Sequence, residues 1–400
     1  MQLSLEQDRL DVRNKTRTNL FSWRGQFTPQ LIEYLLTEHC KAGAVVADPF
    51  CGSGTVLLES ARLGVECAGI EINPAAYVMS KFYELANLAT AERLRYITDL
   101  EQKTTALIAP NGCLPLFSEG ASYREQYKNL IDFARDFVEA SQRGYERVLA
   151  VNALLLCEGF KGFDLGAAVL RALGYVRKAL TSLSYAPRPI TAYLRDARTL
   201  HEVCPEQIDV IVTSPPYINV FNYHQNYRAI LEAIGWDLLT VAASEFGSNR
   251  KNRGNRFKTV IQYCLDLEQT IGSAWHSLRQ DGLLLLVVGR ESNVCGSPFY
   301  NGQILRDLVI QCGAFEHVSD RERVFTNKFG ASIREDILVF RKAASASEKS
   351  IARGVAVCHL KRALNTAGVE LGRAICDAIG AADTITPSPL FSPKRALRDA

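Results

Sequence analysis

The sequence predicts an α/β fold built on a mostly parallel sheet, and three observations predict it. Short apolar runs without alternation recur at Val45–Ala47, Cys67–Ile70, Ile208–Val212 and Leu283–Val288, the pattern of strands buried on both faces. Amphipathic helical stretches separate them, as βαβ units require. A glycine turn, Gly52-Ser53-Gly54, joins the first strand to the first of these helices, where φ > 0 and close backbone approach are needed. The chain has 400 residues, 47% of them hydrophobic and 22% charged. That is ordinary globular material, enough for one large domain with insertions or for two.

A net charge of +3 confines any nucleic-acid footprint to a local patch. The eleven cysteines are scattered without a C-x-x-C pair, so no zinc site and no other metal is expected. Without a secretory leader they read as reduced thiols of a cytoplasmic protein. No apolar run reaches the roughly 18 residues of a membrane helix. No internal repeat is found.

In chain order, residues 1–20 are a polar lead-in. Phe21, Trp23, Phe27 and Pro29 precede a helix from Pro29 to Cys40 with Leu31, Leu35 and Leu36 on its apolar face, proline being suited to a first turn. Strand one covers 44–48, helix 53–64 follows, and strand two covers 66–72. Asn73-Pro74 caps a long helix to Ile97. Residues 99–186 break the pattern with charged helical runs, Tyr123 to Leu149 and Val151 to Leu183, read as a largely helical insertion. Its cations, among them Arg124, Lys128, Arg135 and Arg171, suit a phosphate backbone. The interleaved acids Asp132, Asp136 and Glu139 equally suit a solvated face. The sheet resumes at Ile190–Leu194, with Asp196 just past its end, and continues at Ile208–Val212.

The fourth strand ends in Thr213-Ser214-Pro215-Pro216-Tyr217. Two prolines cannot continue it, since each lacks an N–H and fixes φ. A stiff corner bearing a hydroxyl, carbonyls and an aromatic face therefore stands at the strand's carboxyl end, where open α/β sheets bind ligands. It suits a planar base with an exocyclic amine, although a plain strand-to-loop turn uses the same residues. At the end of strand two, Glu71 is placed to hydrogen-bond a ribose diol. The glycine spacing is not G-x-G-x-x-G and no Walker lysine is present, so a nucleoside without phosphates fits better than a nucleotide.

After the corner, residues 218–228 are rich in amides and aromatics, suited to stacking and base-edge contacts. His224 stands without a partner at metal spacing and reads as a surface histidine. Residues 247–258 form the densest basic run, with Arg250, Lys251, Arg253, Arg256 and Lys258 among mobile glycines and no acid, well suited to neutralising phosphates. A helix from Val260 to Leu278, a central strand Gly282–Gly289, a loop 290–301, a helix Gly302–Cys312 and strands Phe315–Phe325 and Asp336–Phe340 complete the sheet. Residues 344–400 read as an appendage with one short helix, Ile351 to Ile379.

Asp48-Pro49-Phe50-Cys51-Gly52-Ser53-Gly54 followed by Thr213-Ser214-Pro215-Pro216-Tyr217 resembles the S-adenosylmethionine-dependent amino-methyltransferases of DNA. It looks most like the cytosine-N4 branch, which typically carries Ser-Pro-Pro-Tyr where adenine-N6 enzymes carry Asp- or Asn-Pro-Pro-Tyr/Phe. The resemblance covers roughly residues 20–98 and 186–342. It implies a Rossmann-like seven-stranded methyltransferase sheet, divided as a cofactor part (1–98), the helical insertion (99–186), a catalytic part (187–343) and the appendage (344–400). It implies Ser214, Pro215, Pro216 and Tyr217 as catalytic residues. It implies Phe27, Asp48, Phe50, Gly52, Gly54, Glu71, Asp196 and Thr213 around S-adenosylmethionine, with Asp196 accepting the adenine amine. Asn222, Tyr223 and the five cations of the basic run would contact double-stranded DNA, and a cognate restriction nuclease would be a partner. The large insertion lies between the second and third strands, earlier than is usual, so either 99–186 or 218–260 would read the bases. Three rivals stay open: a DNA adenine-N6 enzyme, an RNA guanine-N2 enzyme, and a catalytically idle DNA-binding module on the same fold.

Overall fold

A computed structural model describes residues 2–108, 123–141, 144–159, 165–218, 223–247, 252, 254–327, 330–346 and 349–393. Seven strands form one sheet: β1 (Val45–Asp48), β2 (Glu66–Glu71), β3 (Ile190–Leu194), β4 (Ile208–Thr213), β5 (Leu278–Gly289), β6 (Phe315–Thr326) and β7 (Ser332–Lys342). Their spatial order is β3-β2-β1-β4-β5-β7-β6. The first five run parallel, and β7 is antiparallel to both β5 and β6. This is a mixed α/β architecture with the seven-stranded sheet that the resemblance implied, the chain reversing its direction of travel between β1 and β4. Ligands of such sheets bind outside the carboxyl ends at that switch point.

The apolar runs explain the layering. Val46, Val210 and Val212 face one apolar layer, with the helices Pro29–His39, Thr55–Leu63 and Pro74–Lys81 on that side. Ala47, Ile211 and Leu284 face the other, covered by the helices Lys258–Ser277, Asn301–Gln311 and Ala352–Leu364. Every residue of β1 is buried, which is why that strand shows no polar alternation.

Several boundaries differ from the sequence reading. The expected helix from Pro74 to Ile97 is three pieces: Pro74–Lys81, a tighter turn Phe82–Asn87, and Thr90–Ile108. The break lets Asn87 accept from the Ile190 N–H and donate to the Arg188 carbonyl, docking β3. The expected loop 290–301 contains a hairpin, Glu291–Val294 with Ser297–Tyr300, turned by Cys295 and Gly296 at positive φ. β7 extends well beyond Asp336–Phe340 because β6 pairs with its whole length.

Between β2 and β3 lie the helices Thr90–Ile108, Tyr123–Ala140, Tyr145–Cys157 and Leu165–Ser182. Arg177 is not free for phosphate, being paired to Glu101 at 2.5 Å, and Lys103 pairs with Glu146 at 2.5 Å. Arg124, Lys128, Arg135 and Arg171 are exposed, and so are Asp132, Asp136 and Glu139. The carboxyl-terminal segment is two helices, Ala352–Leu364 and Val369–Gly380. Residues 388–391 beyond them reach the buried side chains of Asp196, Arg198 and Asp266.

Candidate active site

The glycine turn is built from the end of β1. The Cys51 N–H donates to the Ile70 carbonyl and the Gly54 N–H to the Cys51 carbonyl, which folds the turn back against β2. Gly52 has φ +51, and a Cβ there would sit 3.1 Å from the Trp23 ring. Gly54 has φ +85, and its Cβ would meet the Tyr83 ring at 2.8 Å and Ser80 Cα at 2.9 Å. Gly54 is therefore fixed by packing, and Gly52 is the glycine that faces the cleft.

Two acids brace this turn. Asp48 is buried, and its Oδ1 accepts from the Thr213 hydroxyl at 2.6 Å and the Phe50 N–H at 3.1 Å. It thereby ties the ends of β1 and β4 together. Glu71 accepts from the Gly52 N–H at 2.9 Å through Oε2 and from the Asn73 N–H at 2.8 Å through Oε1. Burial pushes both carboxyls up to about 7, in each case against the hydrogen bonds that favour the anion. Asn73 caps the next helix through the Ala75 N–H and donates to the Tyr223 carbonyl at 3.1 Å.

The Ser214–Tyr217 corner is pinned from two sides. The buried Tyr263 donates to the Pro216 carbonyl at 2.9 Å. The Tyr217 ring lies on Gly289, where a Cβ would be 3.1 Å from its Cε2. The Tyr217 hydroxyl stands 3.4 Å from Ser214 Oγ, and burial pushes it up to about 12.

A cleft of roughly 1030 Å³, open mouth included, joins the two halves. Of the residues singled out in the sequence, it brings together Phe27, Phe50, Gly52, Glu71, Ser214, Pro215, Pro216, Tyr217 and Tyr223. Asp48, Thr213 and Gly54 stand behind this wall and do not line it. Asp196 is withdrawn altogether. Its oxygens accept from the Arg198 N–H, Nε and Nη2 and from the Phe391 N–H, and its side chain is wholly buried. Tyr223, expected on the DNA side, stacks on Trp23 inside the cleft at 5.9 Å and 18°.

His224, expected at the surface, is 5% exposed. Both its backbone N–H and its Nδ1 meet Glu245, at 2.7 and 2.8 Å. Lys258, expected at DNA, pairs with Asp377 at 3.1 Å, while Arg256 is exposed. Asn222, Arg250, Lys251 and Arg253 lie outside the described residues.

Sequence reasoning missed Gln26, Asn73, Glu245 and Phe246 in the lining and Tyr263 behind it. Gln26 Oε1 accepts from the Trp23 N–H at 3.1 Å and the Ser53 hydroxyl at 2.9 Å, holding the 19–27 segment on the turn. The signal available was the density of polar and aromatic residues in 21–27. Among the described residues, no cluster of His, Cys, Asp or Glu gathers at metal distance, and no helix is long and apolar enough to cross a membrane.

The arrangement fits an adenosyl sulfonium ligand. Glu71 offers acceptors at the end of β2, Gly52 opens the backbone beside them, and Phe27, Phe50, Ile72 and Phe246 supply apolar walls. A family model described as DNA methylase matches residues 6–82. Type II methyltransferase M.MjaII of Methanocaldococcus jannaschii is 40% identical over 62 residues, 16% of this chain and 12% of that protein. Type II methyltransferase M.BsoBI of Geobacillus stearothermophilus is 23% identical over 274 residues, 56% of this chain and 54% of that protein. The chain thus spans about half the length of the second relative and much less of the first. Among solved structures, a SAM-dependent methyltransferase of Methanosarcina mazei matches at TM-score 0.34 and 12% identity, over 78% of this chain and 98% of that one. The glycine-turn motif lies inside the region that matches the DNA methylase model, and both of these relatives are Type II methyltransferases, a likeness that points to S-adenosylmethionine as cofactor.

Proposed function

We propose that the protein methylates the exocyclic N4 amine of cytosine in duplex DNA, at a specific sequence and as the modification half of a restriction–modification or defence pair. The observation that carries this reading is that the Ser214–Tyr217 corner and the Gly52–Glu71 wall line one cleft. When bound, S-adenosylmethionine supplies an electrophilic methyl group on sulfur.

The amine of cytosine is a poor nucleophile because its lone pair is delocalised into the ring. Ser214 Oγ and the Pro215 carbonyl are offered to its two N–H bonds, while Tyr263 already occupies the Pro216 carbonyl. Holding both N–H bonds favours a pyramidal nitrogen with its lone pair aimed along the cleft. Positioning of this kind supplies at most about 7–11 kcal/mol of barrier reduction. The target base leaves the helix to enter, and the Tyr217 ring is the face it stacks on, offsetting part of the few kcal/mol lost in unstacking. Glu71 holds the ribose of the cofactor, and Asp48 and Thr213 keep the two motifs in register. Ser214 in place of the acid typical of adenine-N6 enzymes favours cytosine. Arg256 with the neighbouring cations of 247–258 neutralises phosphates.

Incubation with labelled S-adenosylmethionine and mixed-sequence duplex DNA, followed by nucleoside mass spectrometry, tests the reading. N4-methylcytosine is expected. N6-methyladenine would keep the site and overturn the base, whereas label found in RNA alone would overturn the DNA assignment.

A further inference from the structure

An adenosyl ligand with its ribose at Glu71 on the end of β2 and its sulfonium toward the corner on β4 would, in the order β3-β2-β1-β4, direct its base toward the end of β3. An acid just past β3 is in place, but Asp196 does not face the cleft. All four of its donors are internal: three groups of Arg198 and the Phe391 N–H. Arg198 is itself held by the Ser388 carbonyl at 2.7 Å and the Pro389 carbonyl at 2.9 Å, so the carboxyl-terminal segment locks the pair inward. Of the residues 195–199 that follow β3, Ala197 alone lines the cleft.

A different carboxylate lines that end. Phe246 stands edge-on to Phe50 at 5.2 Å and under the Arg198 guanidinium at 5.2 Å. The Glu245–Phe246 step therefore sits between the glycine turn and the end of β3. Its backbone is fastened there by the Glu245 N–H, which donates to the Val241 carbonyl at 3.1 Å at the end of the helix Leu238–Ser244. Glu245 is among the residues that line the cleft, and each of its carboxylate oxygens accepts one bond from His224. A carboxylate has about four acceptor sites, so two remain for a ligand in an already fixed orientation.

We infer that Glu245, held by His224, accepts the exocyclic amine of the cofactor's adenine in place of Asp196. This rests on S-adenosylmethionine being the cofactor, and it assigns base selectivity within that site.

Calorimetric titration with S-adenosylhomocysteine and S-inosylhomocysteine tests it without turnover. The inosyl compound presents a carbonyl where the adenosyl compound presents an amine, so it faces Glu245 acceptor to acceptor. The wild-type chain should prefer the adenosyl compound by roughly tenfold or more, the scale of a hydrogen bond to a charged group. In Glu245→Gln the carboxamide can donate or accept, and the preference should collapse toward unity. In Asp196→Asn it should persist. If Glu245→Gln does not fold, Glu245→Asp, which draws the acceptor back, should reduce the same ratio. A preference that survives in the Glu245 variants, or is lost in Asp196→Asn instead, overturns the assignment. Absence of any binding by the wild-type chain would instead overturn the cofactor reading beneath it.

Discussion

Glu71 shows what a single side chain contributes at this site and how pH should reveal it. Both of its oxygens accept backbone N–H groups, so a proton on either one must displace or weaken a bond that shapes the glycine turn. Burial raises its titration from the ordinary 4.5 to about 7. The folded chain therefore holds this proton more tightly than the unfolded one. Its contribution to stability is complete below about 4.5 and is lost as pH rises through about 7. The anion that accepts ribose hydroxyls is gained over the same rise. Cofactor affinity should accordingly strengthen several-fold between pH 6 and 8, up to about tenfold per unit below the midpoint. Glu71→Gln should bind more weakly and lose most of that slope. Calorimetry across this range decides the matter, and an equally steep profile in the variant would assign the titration elsewhere, with Asp48 next in line.

At the scale of elements, what could be read from the sequence was what is local. The turn at 52–54 needs glycines for reasons contained within a few residues, and the Ser214–Tyr217 corner stops a strand because of its own two prolines. The buried parallel strands were legible for the same reason, since such strands are apolar throughout, whereas the count of seven came from the resemblance. What escaped was long-range. Asp196 is captured by Phe391, 195 residues away in sequence, and Lys258 by Asp377. His224 looked like a surface residue because its partner, Glu245, lies beyond two helices, Arg228–Ala233 and Leu238–Ser244.

The segment 19–27 is the clearest case of an element whose role is tertiary. Asn19 donates to the Phe27 carbonyl and accepts from the Thr55 hydroxyl, and Trp23 lies against Gly52 and stacks on Tyr223. It therefore forms a wall shared by the two motifs. Removing the Trp23 ring takes away an aromatic pair worth about 0.5–1.5 kcal/mol beyond its area. Trp23→Ala should weaken cofactor binding by about three- to tenfold on that scale, and because the ring is buried in the core it should also lower the thermal midpoint. An unchanged dissociation constant would mean that the segment merely covers the turn.

For the whole molecule, the carboxyl-terminal residues close a circuit that the sheet alone leaves open. Asp196, Arg198 and Asp266 are almost wholly buried charges, a grouping that is costly unless every hydrogen bond is made. Within the sheet and its helices the set is incomplete. The Ser388 N–H and hydroxyl both donate to Asp266 at 2.7 Å, the Phe391 N–H donates to Asp196 at 2.9 Å, and Arg198 donates to the Ser388 and Pro389 carbonyls. These bonds go to charged groups, each worth about 1.5–3 kcal/mol when buried. Ending the chain after Ile385 removes all of them and opens the floor beneath Phe246. The expected loss is on the order of 5 kcal/mol, a large part of the about 5–15 kcal/mol that separates folded from unfolded domains. Ending the chain after Pro393 removes none of them. The shorter form should therefore melt well below the full chain while the longer form melts with it. Urea titration of the three forms measures the difference. Equal midpoints for all three would show that the charged trio satisfies itself without the tail, and would leave Asp196 free to turn toward the cleft.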